Sequence, residues 1–405
     1  MLAGIAWKNI WRNKKRSAVI LTAIALGLCG GLFATGIMIG MAESMVNSAI
    51  DRDLAHIQIH TKAFKENPLV QDTIPDADSL TAKLRFIPGM RGVSGRAKIV
   101  GMASSPATNS GVEIDGINPI SEKSVTMISQ NIREGVYLDS TGINSVLVGR
   151  KLAEKLNLHI HSKLVLSFPG LDGSITYGAF RIVGIFETES AMFDKSKVFV
   201  DNRDLSRLLG GTTVVHEIAL RLVNADLVPH VLAALRAAYP QLIIESWKDL
   251  APELKLTSEL TNVSMVFFLA IILFGLLFGI TNTMLMSVLD RTREFGMIMA
   301  IGMKRKRVFA QIILETVFLS LVGSTAGIAA GTAVIAITHR TGINLSAFSD
   351  GLSSYGIGSM LYPIIPFEVY IELGFLIFLT ALCASVYPGF KATRLNPAEA
   401  MRTYA

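Results

Sequence analysis

Four long apolar runs constrain this 405-residue chain more than any other feature of its sequence. Ala18–Gly40 and Val263–Ser287 contain no charged residue, while Phe309–Thr338 and Val369–Val386 contain one acid each. A helix of about 20 apolar residues crosses the hydrocarbon core of a bilayer. Only 17% of all residues are charged, below the roughly one quarter typical of soluble domains. The sequence therefore predicts a multi-pass membrane protein, and the first run is too long for a cleaved signal peptide.

The same runs predict the fold class, a membrane protein with four transmembrane helices (TM1 to TM4) and a large extracytoplasmic α+β domain inserted between helices 1 and 2. Within the insertion, strand-like runs such as Lys163–Phe168 alternate with helix-like runs such as Arg150–Leu156. The predicted segments are an amphipathic cytoplasmic-interface helix (1–17), TM1 (18–40), a periplasmic α+β domain with helical stalks (41–262), TM2 (263–289), a cytoplasmic coupling helix (290–307), TM3 (308–338), an extracytoplasmic loop (339–365), TM4 (366–386) and a cytoplasmic tail (387–405).

The distribution of basic residues predicts the orientation of these segments. Segments 1–17, 288–308 and 387–405 together hold 14 basic and 3 acidic residues, whereas 41–262 holds 23 basic and 25 acidic residues. Because positively charged loops stay in the cytoplasm, we expect both termini in the cytoplasm and the large domain in the periplasm of a bacterial inner membrane. Each basic cluster borders a span, so we expect it to contact the lipid bilayer and not nucleic acid.

A search for catalytic and metal-binding patterns is negative. The chain has no G-x-x-x-x-G-K-[ST] nucleotide loop and no G-x-S-x-G elbow, so we expect no catalytic residue, no enzyme activity and no cofactor on this chain. His216-Glu217 begins like the zinc motif H-E-x-x-H, but Leu220 replaces the second histidine, so no metal ligands are predicted. Cys29 and Cys383 are the two cysteines, and both lie in predicted spans.

Small residues spaced by four recur in the predicted spans. This spacing lets two helix backbones approach closely in lipid. In the first two spans it predicts a substrate groove or a seam between two subunits, with packing inside one subunit as the alternative. The candidates for this groove or seam are Gly27, Gly31, Gly36, Gly275 and Gly279. A third series, at Gly323, Gly327 and Gly331, is more typical of packing within the subunit.

The loop between the second and third spans is the sharpest local feature. Its residues from Asp290 to Gly302 predict a short helix in which Met297, Ala300 and Ile301 form an apolar face. Such a helix can insert into a groove of a cytoplasmic partner, and a simple solvated turn is the alternative. Glu315 lies two turns into the third span, and we expect this intramembrane carboxylate to contact a neighbouring polar group.

Several motifs resemble the FtsX/MacB superfamily of ABC transporter permeases, also called type VII or mechanotransmission transporters. They are Ala6–Arg16 (AWKNIWRNKKR), Arg293–Met303 (REFGMIMAIGM), Glu315 with the glycines that follow it, and the closing motif Tyr387–Arg402. The resemblance implies a second permease subunit, identical or different, and a separate ABC ATPase that binds ATP and Mg in the cytoplasm. The residues that it implies in coupling to this ATPase are Arg293, Glu294, Phe295, Gly296, Ala300, Gly302 and Lys304.

Two further stretches, Ser246–Pro252 and Phe180–Asp194, resemble the lipoprotein-releasing (Lol) branch. That resemblance implies that a lipoprotein substrate passes from the inner membrane to a periplasmic carrier. A long hook loop captures the carrier in one type of Lol permease, whereas the matching stretch here, Pro169–Tyr177, is short. The candidate carrier-contact residues in it are Pro169, Gly170, Leu171 and Asp172. The alternatives are MacB-like efflux or peptide export and FtsX-like regulation of a cell-envelope hydrolase.

Overall fold

The computed structural model describes residues 2–12, 14–139 and 142–394. Its helices are α1 Leu2–Arg12, α2 Lys14–Ala49, α3 Lys62–Glu66, α4 Ala77–Leu84, α5 Pro119–Glu122, α6 Arg150–Leu156, α7 Ala191–Ser196, α8 Asn202–Leu208, α9 Val228–Ala238, α10 Trp247–Leu250, α11 Pro252–Asp290, α12 Thr292–Ala300, α13 Arg305–Thr341, α14 Ser349–Ser354 and α15 Phe367–Thr393. Its strands are β1 Ile57–Thr61, β2 Met90–Ser104, β3 Asn109–Ile117, β4 Ile132–Gly135, β5 Ser145–Gly149, β6 Lys163–Pro169, β7 Ile175–Phe186, β8 Lys197–Asp201, β9 Glu217–Leu222, β10 Leu242–Ser246, β11 Ile343–Asn344 and β12 Met360–Leu361.

These elements form two compact units. The first, which we call the helical unit, comprises the described residues within 1–42, 258–344 and 360–405. The second, which we call the inserted domain, comprises residues 43–257 and 345–359. Long helices connect them along the chain, because α2 and α11 each contribute residues to both units.

The helical unit contains the membrane spans. Within the described residues, four helices are long and apolar enough to cross a membrane, namely α2, α11, α13 and α15. The four-helix prediction, with the large domain between the first and second, is confirmed. These helices share an apolar core that includes Ile24 and Leu28 of α2, Leu319 of α13 and Ile377 of α15, and Ile10 of α1 belongs to the same cluster.

The inserted domain is built around one mixed sheet of ten strands, in the order β10-β1-β9-β2-β3-β8-β5-β7-β4 with β6 pairing β2 and β7. The pairs β3–β8 and β5–β7 are parallel, and the other pairs are antiparallel. Strands β5 and β8 are buried along their whole length. Their valine-rich sequences suit this position, because β-branched side chains pack well on a pleated surface covered on both faces.

Two parts of the structure differ from what the sequence pattern predicts. Strand β4 has a largely exposed, charged sequence, Ile132–Gly135, and pairs only at the sheet edge with β7, so no apolar alternation indicates it. The predicted loop 339–365 is also more ordered than expected: α13 continues to Thr341, β11 pairs with β12, and residues 345–359 belong to the inserted domain.

Candidate functional site

The candidate functional site lies around α12, the short helix between α11 and α13. Helix α12 ends at Ala300, and Gly302, two residues further on, has a φ of +103°, a conformation that L side chains rarely adopt. The Gly302 N–H donates to the Met299 carbonyl (3.1 Å), and the Met303 N–H donates to the Ile298 carbonyl (3.2 Å). These two bonds satisfy the last carbonyls of the helix, and they require the backbone of residue 302 to adopt the positive φ that glycine accepts without strain.

The two sides of α12 have opposite environments. Phe295 is only 1% exposed, and Gly296 is also buried in the helical unit. On the other side Met297 is 46% exposed and Ile301 is 84% exposed. We call the exposed residues Arg293, Met297, Ala300 and Ile301 the outer face of α12.

This arrangement divides six of the seven predicted coupling residues into two groups, and the seventh, Glu294, is half-buried. Arg293, Ala300, Gly302 and Lys304 are exposed and available to a partner. Phe295 and Gly296 are buried and lie off the exposed face of the helix, and their role in coupling stays a prediction. The reason is local packing, because the Phe295 ring belongs to the apolar core of the helical unit.

A chain of ion pairs links α12 to its neighbours, from an exposed end at Arg12 and Glu294 to a buried end at Arg291 and Glu315. Arg12 Nη2 on α1 lies 2.7 Å from Glu294 Oε2. Arg291 Nε lies 3.0 Å from the same carboxylate, and Arg291 Nη1 lies 3.1 Å from Glu315 Oε2 on α13. The hydrogen bond from Arg12 is the main reason that the pKa of Glu294 is lowered. These four side chains, the inner ion chain, therefore connect α1, α12, the end of α11 and α13.

The inner ion chain identifies the polar partner expected for Glu315. The Arg291 guanidinium binds it, and the same guanidinium lies 5.1 Å from the centre of the Phe295 ring. Sequence reasoning counted Arg12 and Arg291 only as cytoplasmic positive charges and missed their roles here. The signal for Arg291 was its place three residues before Glu294 on a helical run.

The glycines predicted to form a groove or seam have two kinds of surroundings. A Cβ added to Gly27 would lie 3.3 Å from Leu276, and one added to Gly31 would lie 2.9 Å from Ile272, both on α11. A Cβ on Gly36 would lie 3.4 Å from Ile365. These three glycines therefore pack within the chain.

Gly275 and Gly279 differ from the glycines of the first span, because they have no described atom within 4 Å of an added Cβ. Both are exposed on α11 beside the exposed rings of Phe274 and Phe278. The seam prediction concerns these two positions most directly, and it stays a prediction.

The candidate carrier-contact residues form a tight hairpin between β6 and β7. The Gly170 N–H donates to the Ser174 carbonyl (2.7 Å). The Ser174 hydroxyl donates to Asp172 Oδ1 (2.7 Å), and this bond is the main reason that the pKa of Asp172 is lowered. Pro169 pairs with Ile175 in the last register position of the two strands. The hairpin is thus short and closed on itself.

The inserted domain also holds a buried charge cluster that sequence reasoning missed. Arg96 is 1% exposed and binds the carboxylates of Glu122 (2.7 Å) and Glu217 (2.6 Å). A second group surrounds Lys98 and Lys197. The carboxylates shared by these two lysines are Asp53, Glu113 and Asp115. Long-range pairing compensates charges that would otherwise be costly to bury.

His216 and Glu217, which begin like the zinc motif H-E-x-x-H, have structural contacts at this cluster. Glu217 is an ion-pair partner of Arg96. His216 Nδ1 accepts a hydrogen bond from the Lys98 N–H (2.9 Å), and its Nε2 lies 2.9 Å from the Val70 carbonyl oxygen. Among the residues that the structure describes, no group of three or more His, Cys, Asp or Glu is placed to hold a metal ion.

Burial and charge shift the pKa values of two of these three carboxylates in opposite directions. Burial raises the pKa of Asp115 to about 7, against the opposing charges of Lys197 and Lys98. For Glu113, burial also acts to raise the pKa, but Lys98 and Lys197 lower it to about 2. The cluster therefore contains one group that titrates near neutral pH.

Comparison with known families matches both parts of the chain. Residues 17–238 match the family described as MacB-like periplasmic core domain, which is more than half of the chain. Residues 266–397 match the family described as FtsX-like permease C-terminal. The closing motif from residue 395 onward lies outside the described residues, so the structure does not bear on it.

Individual relatives cover nearly the full length. The chain is 22% identical to the lipoprotein-releasing system transmembrane protein LolC of Neisseria meningitidis, over 96% of each chain. It is also 22% identical to the uncharacterized ABC transporter permease YvrN of Bacillus subtilis, over 98% of each chain. Among solved structures, the periplasmic region of MacB from Actinobacillus actinomycetemcomitans aligns at 10% identity and a TM-score of 0.36, covering 52% of this chain and 97% of that one. From the two family matches, we conclude that this chain is a multi-pass ABC transporter permease of the FtsX/MacB superfamily, a family whose members work with an ATPase partner.

Proposed function

We propose that this permease releases lipoproteins from the bacterial inner membrane to a periplasmic carrier, using ATP hydrolysis by a separate ATPase. The observation that carries the proposal is the end-to-end similarity to a protein named as part of a lipoprotein-releasing system. The similarity spans the membrane helices and the inserted domain together, as expected when both units serve one process.

The surface of α11 supports a lipid-linked substrate. Phe267, Ile271, Phe274 and Phe278 are each at least 59% exposed and recur at helical spacing on one face. An acyl chain needs an apolar surface without charges, and this helix has none from residue 263 to 287. In the proposal, this face of two paired subunits holds the acyl chains, and ATP binding by the partner ATPase expels them outward to the carrier.

Coupling to the ATPase is assigned to the outer face of α12. A protruding pair of apolar side chains flanked by basic residues is typical of a docking surface on a partner protein. The proposal places this face in the cytoplasm, in agreement with the basic residues Lys304 to Arg307 that follow it. The inner ion chain then passes a displacement of α12 to α13 and α1.

The experiment that tests the cargo is co-purification. The permease is isolated in mild detergent with the ATPase from its genomic neighbourhood, and the bound molecules are identified by mass spectrometry. We expect acylated lipoproteins that are retained without ATP and lost when ATP is added. An active complex that carries no lipoprotein, from cells that make lipoproteins, would contradict the proposal.

Export of a peptide or small molecule is the second candidate. The observation that favours it is the match of residues 17–238 to the MacB-like periplasmic core domain, together with the short hairpin where a carrier-capturing hook would stand. An adaptor protein that co-purifies in place of lipoproteins would favour this second function.

A further inference from the structure

The helix α2 is followed by a turn that carries two acids, just before the chain enters β1. Residues Ile50–Leu54 form this turn, and Asp51 and Asp53 lie on it. Negative charge at the C-terminal end of a helix opposes the helix dipole, so these acids need positive partners. Arg221 Nη2 of β9 lies 2.5 Å from Asp51 Oδ1. One of the two acids is therefore bound directly by a strand of the sheet.

The second acid, Asp53, is held by three bases of the buried charge cluster. Arg96 Nη1 donates to the Asp53 carbonyl oxygen (2.7 Å). Lys98 Nζ lies 3.2 Å from Asp53 Oδ1, and Lys197 Nζ lies 3.3 Å from Asp53 Oδ2. Burial acts to raise the pKa of Asp53, but the charges of these bases hold it well below its usual range. Because the bases belong to β2 and β8, two further strands bind the end of α2.

The two lysines that bind Asp53 also bind Asp115 of β3. Asp115 Oδ2 lies 3.3 Å from Lys98 Nζ and 3.3 Å from Lys197 Nζ. Its other oxygen, Oδ1, is buried and has no hydrogen-bond partner among the residues that the structure describes. Asp53 and Asp115 therefore share both ammonium groups, and their negative charges repel each other when both are ionised.

The cluster contains more acids than bases. If all its carboxylates were ionised, negative charge would be buried without compensation, which is costly. Asp115 is the carboxylate best placed to hold a proton instead, because it is completely buried and one of its oxygens has no partner. Its pKa, which burial raises to about 7, agrees with this assignment. The bases are Arg96, Lys98 and Lys197, and the carboxylates are Asp53, Glu113, Asp115, Glu122 and Glu217.

The other titratable groups near this face of the sheet have contacts of their own or face solvent. One of them, Asp194 of α7, has a pKa that burial raises to about 6. Within the described ranges, Asp115 is nevertheless the group that both titrates near pH 7 and contacts the two lysines. These other groups are Arg52 over the Phe193 ring, Asp194 bonded to Thr188, Asp201 bonded to Arg203, His216 bonded to the Lys98 backbone N–H, and the exposed Lys195.

We propose that the buried charge cluster is a proton-controlled lock on the end of α2. While Asp115 is protonated, Lys98 and Lys197 hold Asp53 and keep the turn after α2 on the sheet. When Asp115 ionises, it competes with Asp53 for both lysines and repels it. Asp53 is the one displaced, because it is 21% exposed and follows a helix end, whereas Asp115 is buried within the sheet. The inference does not depend on the cargo that the permease transports.

The test measures how firmly the end of α2 is held, by double electron–electron resonance on the full-length protein in lipid nanodiscs. Spin labels are attached to Asn47→Cys on α2 and Tyr177→Cys on β7, two exposed positions, in a chain with Cys29 and Cys383 replaced by Ala. We expect a narrow distribution of distances at about pH 6 and a broader one at about pH 8. Over that interval the ionised fraction of a group that titrates near 7 rises from about one tenth to about nine tenths.

Three variants separate the lock from a general effect of pH. Asp115→Asn cannot ionise and should keep the narrow distribution at both pH values. Asp53→Asn removes the charge that the lysines hold and should give the broad distribution at both. The control Asp78→Asn, at an exposed site on α4, should respond to pH as the wild type does. A wild-type distribution that does not change with pH, or a pH response that survives Asp115→Asn, would overturn the lock.

Discussion

Glu294 is held by Arg12 of α1 and by Arg291, the residue that joins α11 to α12, and this position limits what it can do. Arg12 and Arg291 both donate to its carboxylate, so Glu294 is engaged within the helical unit although its side chain is 42% exposed. Ile301, seven residues further along the chain, is 84% exposed and belongs to the outer face of α12. Replacing one or the other should therefore affect two separable steps, transmission inside the permease and binding of the ATPase.

The first prediction compares these two residues. Ile301→Asp places a charge on the outer face, and we expect ATPase affinity to fall by about tenfold or more. Glu294→Gln should keep the ATPase bound but uncouple ATP hydrolysis from cargo release. The measurements are co-purification of the ATPase and ATP-dependent release from nanodiscs. Val136→Asp, at an exposed site of the inserted domain, is the control. Normal release by Glu294→Gln would contradict the role of the inner ion chain.

A second prediction at the residue scale concerns pH. Because the pKa of Asp115 is raised to about 7, the folded protein keeps a proton there that the unfolded chain has lost above about pH 4. The contribution of Asp115 to stability therefore falls as the pH rises from about 4 to about 7, and is constant above that interval. Asn cannot ionise, so Asp115→Asn should gain stability relative to wild type over the same interval.

This difference is measurable by melting wild type and variant over a pH series. We expect it to change by about 2–4 kcal/mol between pH values of about 4 and 8. Asp76→Asn, the same substitution at an exposed site, is the control. A difference that stays constant with pH would mean that Asp115 is ionised throughout.

At the scale of elements, the contact of α13 with α2 depends on glycines. A Cβ added to Gly327 would lie 2.8 Å from the Ala25 carbonyl oxygen and 2.9 Å from Ala25 Cα. Gly323 and Gly331 face Ile24 and Leu32 of the same helix. The backbone cannot move aside as a side-chain end can, so this stripe of small residues allows the two spans to pack inside one subunit.

The third prediction follows from that contact. Gly327→Ala should destabilise the helical unit by roughly 1–3 kcal/mol, because the added methyl group forces α13 away from α2. The melting temperature of the detergent-solubilised protein measures the effect. Gly374→Ala on α15 has no described atom within 4 Å of the new Cβ and is the matched control. Equal melting temperatures for the two variants would show that the spans adjust at no cost.

At the scale of the whole molecule, the two units differ in the chemical groups that distinguish them. The interior of the inserted domain contains the ion pairs of Arg96, Lys98 and Lys197. The helical unit keeps an apolar surface on α11, where Gly275 and Gly279 have open space around them. An open small-residue face on a membrane helix is suited to a second helix, and the permease seam is therefore expected there.

The fourth prediction tests this seam. Gly279→Cys, in a chain with Cys29 and Cys383 replaced by Ala, should form a disulfide with a second permease subunit in native membranes. A disulfide requires Cα atoms within about 7 Å, so it reports close approach of the two helices. Phe375→Cys on the exposed side of α15 is the control. Cross-linking at residue 375 in preference to residue 279 would place the seam elsewhere.

The sequence by itself determined the spans, most of the inserted domain and the class of protein. These follow from properties that are local along the chain, namely the length of an apolar run, the alternation of a strand and the spacing of a short motif. It also identified α12 and Gly302, because an apolar periodicity and a terminating glycine lie within a dozen residues. The sequence pattern did not predict strand β4, because an exposed edge strand does not need an apolar face.

Only the tertiary structure decided which side chains of the site act together. Arg12 and Glu294 are 282 positions apart, and Arg96 and Glu217 are 121 positions apart. Nothing local marks such pairs, because an ion pair depends on where the packed helices and strands bring two charges. The same holds for Phe295, which the family resemblance includes among the coupling residues and which packing buries in the core. Burial and pairing are properties of the assembled fold, whereas periodicity and hydropathy belong to the chain.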